Sequence, residues 1–61
     1  MISLRSSVIR AIDWADGNLT VLFHSGRSYD HPGVPIAVYR EFLNASSKGA
    51  YYNRHIRGQY R

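Results

Sequence analysis

Two sets of residues in this sequence have side chains that can do chemistry. The first is His24, His31 and His55, with Asp30 beside the middle histidine. Imidazoles and a carboxylate are the raw material of a zinc centre or a general acid–base pair. Their spacing serves neither. No two stand on one helical face in the manner of H-E-x-x-H, and His24 lies next to a turn, where a polar residue needs no special explanation. There is no nucleophile–base pair and no glycine-rich phosphate loop. The reading is no metal, no cofactor and no catalytic residue, hence not an enzyme, with His55 packing beside Tyr51 and Tyr52.

The second set is the stretch SKGAYYNRHIRGQYR, in which tyrosines alternate with arginines and no carboxylate occurs. Unpaired bases stack on aromatic and guanidinium planes, and phosphates pair with cations, so this composition suits single-stranded RNA. Arg54, Arg57, Arg61 and Lys48 would supply the cations. Tyr29, His31, Tyr51 or Tyr60 would supply the planes, while Tyr39 and Tyr52 fall on apolar helical arcs and read as core. The same stretch also fits a plain amphipathic helix, with tyrosines inward and arginines in water.

Charge leans the same way. Eight Lys and Arg stand against four Asp and Glu, a net charge of +4. Asp13, Asp16, Asp30 and Glu41 all precede residue 42, whereas Lys48, Arg54, Arg57 and Arg61 follow it. A segment with cations and no anions favours polyanionic partners, although surplus surface charge is also common in small domains. With 61 residues there is room for one domain, read here as spanning 1–61 with its core between about 7 and 60. Cysteine is absent, which removes disulfides and thiolate metal sites together. No apolar run approaches the ~20 residues of a membrane span, and MISLRSSVIR lacks the apolar centre of a signal peptide, so the expectation is a cytoplasmic protein with no membrane partner.

The elements that must hold these residues follow from turn chemistry and periodicity. VIRAIDWA and LTVLFH flank Asp16-Gly17, a pair suited to the positive φ angles of a two-residue type I′ hairpin. That turn sets Trp14 opposite Leu19, Ile12 opposite Val21 and Arg10 opposite Phe23. Ser25-Gly26 turns the chain into a third strand around RSYDH. A two-residue loop there puts Tyr29 and His31 on the face away from Trp14; a three-residue loop slips the register by one and brings Tyr29 to Phe23. Pro35 suits the first turn of a helix over PIAVYREFLNA, and Val34 just before it follows helical spacing with Val38, Phe42 and Ala45. Ser46 or Ser47 can cap a second helix and Gly58 can end it, with Tyr52 and Ile56 inward and Arg54 and Arg57 outward. The expected fold is α+β, a three-stranded antiparallel sheet with two C-terminal helices packed on one face (β-β-β-α-α). Its core is Ile12, Trp14, Leu19, Val21, Phe23, Val38, Phe42, Tyr52 and Ile56.

The order SSVIRAIDW, LTVLF, a glycine-containing turn, Tyr29, GVP, VY and then SKGAYYNRHIRGQY resembles the KTSC domain, a small bacterial and phage module. It is also found at the C-terminus of some lysyl-tRNA synthetases. The resemblance runs from about Ser6 to Tyr60, and its most specific part is SKG...YNRHIRG.Y. It implies an association with RNA through the synthetase context. The family carries a central Tyr-x-Tyr that reads YDH here: Tyr29 matches the first tyrosine and His31 stands in place of the second, with less ring area and no phenolic hydroxyl. The functional expectation is a small binding module for RNA or another nucleic acid, in particular tRNA or a single strand. The alternative is a protein-interaction module, bacterial or phage, with a protein partner reached through open sheet edges. Either would act as a monomer or a weak homo-oligomer.

Overall fold

The computed structural model describes residues 1–60, which form a sheet of four antiparallel strands in the order β1-β2-β3-β4. The strands are β1 (Ile2–Ser3), β2 (Ile9–Ala15), β3 (Asn18–Phe23) and β4 (Ser28–His31). Two helices follow, α1 (Ile36–Asn44) and α2 (Lys48–Tyr51), and α2 runs directly into a π-helical turn over Tyr52–Ile56. They contribute to one core, in which Ile9, Ile12, Leu19, Val21, Val34, Phe42, Tyr52 and Ile56 are buried.

The β2–β3 hairpin forms where turn chemistry requires it. Asp16 and Gly17 both take positive φ, 53° and 83°, and Trp14 pairs with Leu19 and Ile12 with Val21 as the alternation predicts. The far end differs from the expectation. A bulge between Ile9 and Ala11 seats Ile9, not Arg10, opposite Phe23 and leaves Arg10 exposed. The physical reason is desolvation: an extra residue in the strand lets an aliphatic side chain take the buried place that a guanidinium could occupy only at high cost.

The expected three-stranded sheet is corrected to four. Ile2 pairs with Ile12 and Ser3 with Ala11, and the Leu4 amide donates to the Arg10 carbonyl at 2.9 Å. A two-residue strand is too short to show periodicity, and it covers the free edge that β2 would otherwise present. Ordered structure thus begins before residue 7. Ser6 makes the link, its hydroxyl oxygen accepting from the amides of Val8 (3.2 Å) and Ile9 (3.1 Å).

The second hairpin resolves the register left open above. The Phe23 amide donates to the Arg27 carbonyl at 2.8 Å, so the loop has three residues, with Gly26 at φ 96°. Tyr29 therefore faces Val21, and His31 faces Leu19, on the core side of the sheet. Trp14 ties the next connection down by donating its indole N–H to the Val34 carbonyl at 2.8 Å and stacking on Tyr39.

Pro35 precedes the first helical residue of α1, and Phe42 is the fully buried residue of that helix. Ser47 caps α2 by accepting from the Ala50 amide at 3.3 Å. Beyond Tyr51 the winding widens, with the Arg57 amide donating five residues back to the Tyr52 carbonyl at 2.8 Å. Gly58, at φ 78°, then turns the chain out of the helix.

Candidate nucleic-acid interface

The register of β4 and the π-helical turn together create a groove. The β3–β4 hairpin forms one wall with Phe23, Arg27 and Tyr29; the helical segment forms the other with Gly49, Asn53 and Arg57. Its volume is about 550 Å³, and among the described residues no Asp or Glu lines it. Tyr29 is 46% exposed and leans edge-on against Phe23 with ring centroids 5.7 Å apart. Phe23 in turn meets Tyr52 edge-on at 5.3 Å. The outer tyrosine is therefore braced from behind by a chain of rings and leaves one side open to the groove.

His31 belongs to the base of this groove, and its expected part as a stacking plane is corrected. It is 8% exposed and both ring nitrogens are engaged. Nδ1 lies 2.9 Å from the Tyr60 carbonyl and Nε2 2.9 Å from the Tyr52 hydroxyl. A carbonyl can only accept, so Nδ1 carries a proton and donates it to Tyr60, while Nε2 is paired with the Tyr52 hydroxyl. The histidine is a buried strut joining β4 to the π-helical turn and the chain beyond it. Burial raises the Tyr52 hydroxyl pKa, the nearby Tyr29 adds to the rise, and the Arg57 guanidinium offsets part of it. Arg57 is thus electrostatically coupled to the groove's base.

The other expected site residues are not gathered here. Arg54, expected beside Arg57, lines a separate hollow with Glu41, Tyr51, His55 and Tyr60. Residues three apart lie nearly over one another on an α-helix; the wider π winding splays these two arginines around the axis. Tyr60, expected to be exposed beyond Gly58, is half-buried and packs against the core. Lys48 donates its ammonium to the Ala45 carbonyl and lines a third hollow with Arg5 and Ser7. Arg61 lies outside the described residues. Arg27, Asn53 and Arg5 were not among the expected residues, although Arg27 was legible: it stands two positions before Tyr29 and so shares its face.

The histidines do not converge. His24 Nε2 contacts the Ser6 carbonyl at 2.7 Å, and the His55 ring lies 4.6 Å from that of Tyr51. Among the described residues no three His, Cys, Asp or Glu side chains come together in a way that could hold a metal ion.

The Arg54 hollow carries a different chemistry. The Tyr51 hydroxyl donates to Glu41 Oε1 at 2.8 Å. Burial first, then this bond and the Glu41 charge, push its pKa from 10.0 up to about 12. The unfolded chain loses the Tyr51 proton near the ordinary value, the folded chain only at the raised one. Stability from this group is therefore full below about 10 and lost as pH rises towards about 12. Urea midpoints measured through that window should fall, and a Tyr51→Phe variant should fall less steeply. A parent midpoint that stays level across the window would contradict the bond.

With the geometry in place, comparison with known proteins settles the family. The profile of the KTSC domain matches residues 5–60. The chain belongs to the KTSC domain family. The crystal structure of a KTSC domain protein from Yersinia pestis is similar with a TM-score of 0.92 and 30% identity, over 97% of this chain and 86% of that one. The lysine-tRNA ligase of Nostoc sp. (strain PCC 7120 / SAG 25.82 / UTEX 2576) is 44% identical over 43 residues, 70% of this chain. That of Trichormus variabilis (strain ATCC 29413 / PCC 7937) is 42% identical over the same length. The aligned KTSC segment spans 8% of either ligase.

Proposed function

We propose that this KTSC domain is a non-enzymatic binding module for single-stranded RNA, and that its binding surface is the groove between β4 and the π-helical turn. One observation carries the reading: Tyr29 presents a half-open ring in a groove that Arg27 and Arg57 also line and in which, among the described residues, no Asp or Glu stands. A base stacks on such a ring, and flanking guanidinium groups pair with its phosphates. Among the described residues the one ion pair joins the Met1 ammonium to Asp13 at 4.0 Å, so Arg27 and Arg57 are not committed to carboxylates. The likeness to a segment of enzymes named for joining lysine to tRNA supports an RNA context.

An amide-shift titration with tRNA, single-stranded RNA and duplex DNA tests the reading. Single-stranded RNA, free or within tRNA, should shift the amides of Arg27, Tyr29, Asn53 and Arg57, and binding should weaken steeply with salt. If no nucleic acid shifts these amides, while a salt-tolerant protein partner or self-association does, the protein-interaction reading replaces this one.

A further inference from the structure

We infer that the RNA path does not end at Tyr29 but continues over Gly49 into the hollow that holds Arg5 and Lys48, so that one strand is gripped at two basic ends across an uncharged waist at Val8, Gly49 and Asn53. This rests on the RNA reading above and extends it to the length and course of the ligand.

Three observations point the same way. The Tyr29 groove and the Arg5 hollow, about 550 and 530 Å³, share Val8, Gly49 and Asn53 as lining, so they are two reaches of one depression. Each reach has two cations, Arg27 and Arg57 at one end and Arg5 and Lys48 at the other, and among the described residues no Asp or Glu lines either. Between them Val8 is an aliphatic side chain left 50% exposed beside a glycine.

Gly49 is the telling residue. It is the second residue of α2, in a helical conformation that costs glycine more backbone entropy than alanine. Its φ is not positive, and a Cβ there would meet only the Val8 side chain, at 3.6 and 3.7 Å, which is ordinary contact. Neither backbone conformation nor packing asks for glycine, and stability alone would favour alanine. A strand crossing the waist does ask for it, because a methyl group at Gly49 would occupy the seam through which the two reaches connect.

The polar groups of the second reach suit a phosphate. The Ser6 and Ser47 oxygens already accept from backbone amides, which leaves their hydroxyl protons free to donate outward. Arg5 is exposed and Lys48 half-buried. The occupant that fits two cationic ends and an uncharged middle, where Val8 is aliphatic and Asn53 can hydrogen-bond, is a sugar-phosphate chain whose phosphates sit at the ends and whose sugar and base edge cross the waist.

The test uses fluorescence anisotropy with a ladder of labelled oligouridines, from the dinucleotide upward, on the parent and on Gly49→Ala, Arg5→Gln and Arg54→Gln. Parent affinity should keep rising after the first reach is filled and then level off. Gly49→Ala should melt at or above the parent temperature yet bind the longer oligomers roughly tenfold more weakly, the worth of about one contact. Arg5→Gln should flatten the salt slope by roughly 0.7 for long oligomers and leave short ones unaffected. Arg54→Gln, in the separate hollow, should bind as the parent does. If the parent binds but Gly49→Ala and Arg5→Gln match it at every length, the two-ended path is wrong and binding is confined to the Tyr29 reach. Should Gly49→Ala fail to fold, the exposed Arg5→Gln variant still decides the matter. If the parent binds no oligouridine at all, the RNA reading itself falls, and the path with it.

Discussion

Truncation of Phe42 to alanine should destabilise the domain by about 3–5 kcal/mol, the cost of deleting a fully buried ring and leaving a cavity behind. Phe42 is 0% exposed and is stacked on Tyr51 at 5.5 Å with an interplanar angle of 15°. It also contacts Tyr52 at 6.4 Å, so one ring joins α1 both to α2 and to the π-helical turn. Domains of this size command only a few kcal/mol in total. The variant should therefore be largely unfolded at 37 °C, as circular dichroism would show. A Phe42→Ala protein melting within a few degrees of the parent would mean that this ring is not the junction described.

The second large effect concerns binding without stability. Tyr29 is half exposed on an edge strand, so Tyr29→Ala should melt close to the parent. It should nevertheless lose the stacking of one base, about 1–3 kcal/mol, or roughly 5- to 150-fold in affinity for single-stranded RNA. Arg27→Gln with Arg57→Gln removes two phosphate partners and should flatten the slope of log K against log salt by about 1.4. The two kinds of variant should separate cleanly: the tyrosine changes affinity at all salt concentrations, the arginines chiefly at low salt. Unchanged RNA affinity in Tyr29→Ala would remove the ring from the site.

What could be read beforehand was what local chemistry decides. Asp16-Gly17 specifies a hairpin because few other pairs accept two positive φ angles, and from it follow the pairings of Trp14 with Leu19 and Ile12 with Val21. Ser47 and Gly58 bound the second helical segment for similarly local reasons. The misreadings share a different cause. Ile9 enters the core through a bulge, and strict alternation has no means of anticipating an added residue. His31 looked like half of an aromatic pair on the surface; loop length, which the residues SG do not determine, turned it inward. Arg54 and Arg57 share a face on α-helical geometry, and the i→i+5 winding over Tyr52–Ile56 takes them to separate hollows. The groove itself is an effect of tertiary structure. Arg5, Val8, Arg27 and Gly49 become neighbours only once the sheet and helices have docked.

Strand order in space follows strand order in the chain. Each ladder therefore closes between consecutive segments, and a short loop costs little chain entropy to shut. Side-chain bonds close the longer loops: Trp14 to Val34 across 20 positions, His31 to Tyr52 across 21 and His31 to Tyr60 across 29. The last of these ties β4 to the chain beyond the helices, and it does so at the base of the groove. Occupancy of the groove and retention of this clasp are thus drawn from one small reserve of free energy: a ligand that braces Tyr29 and Arg57 would also hold the tail in place, and a frayed tail would loosen the ligand's seat.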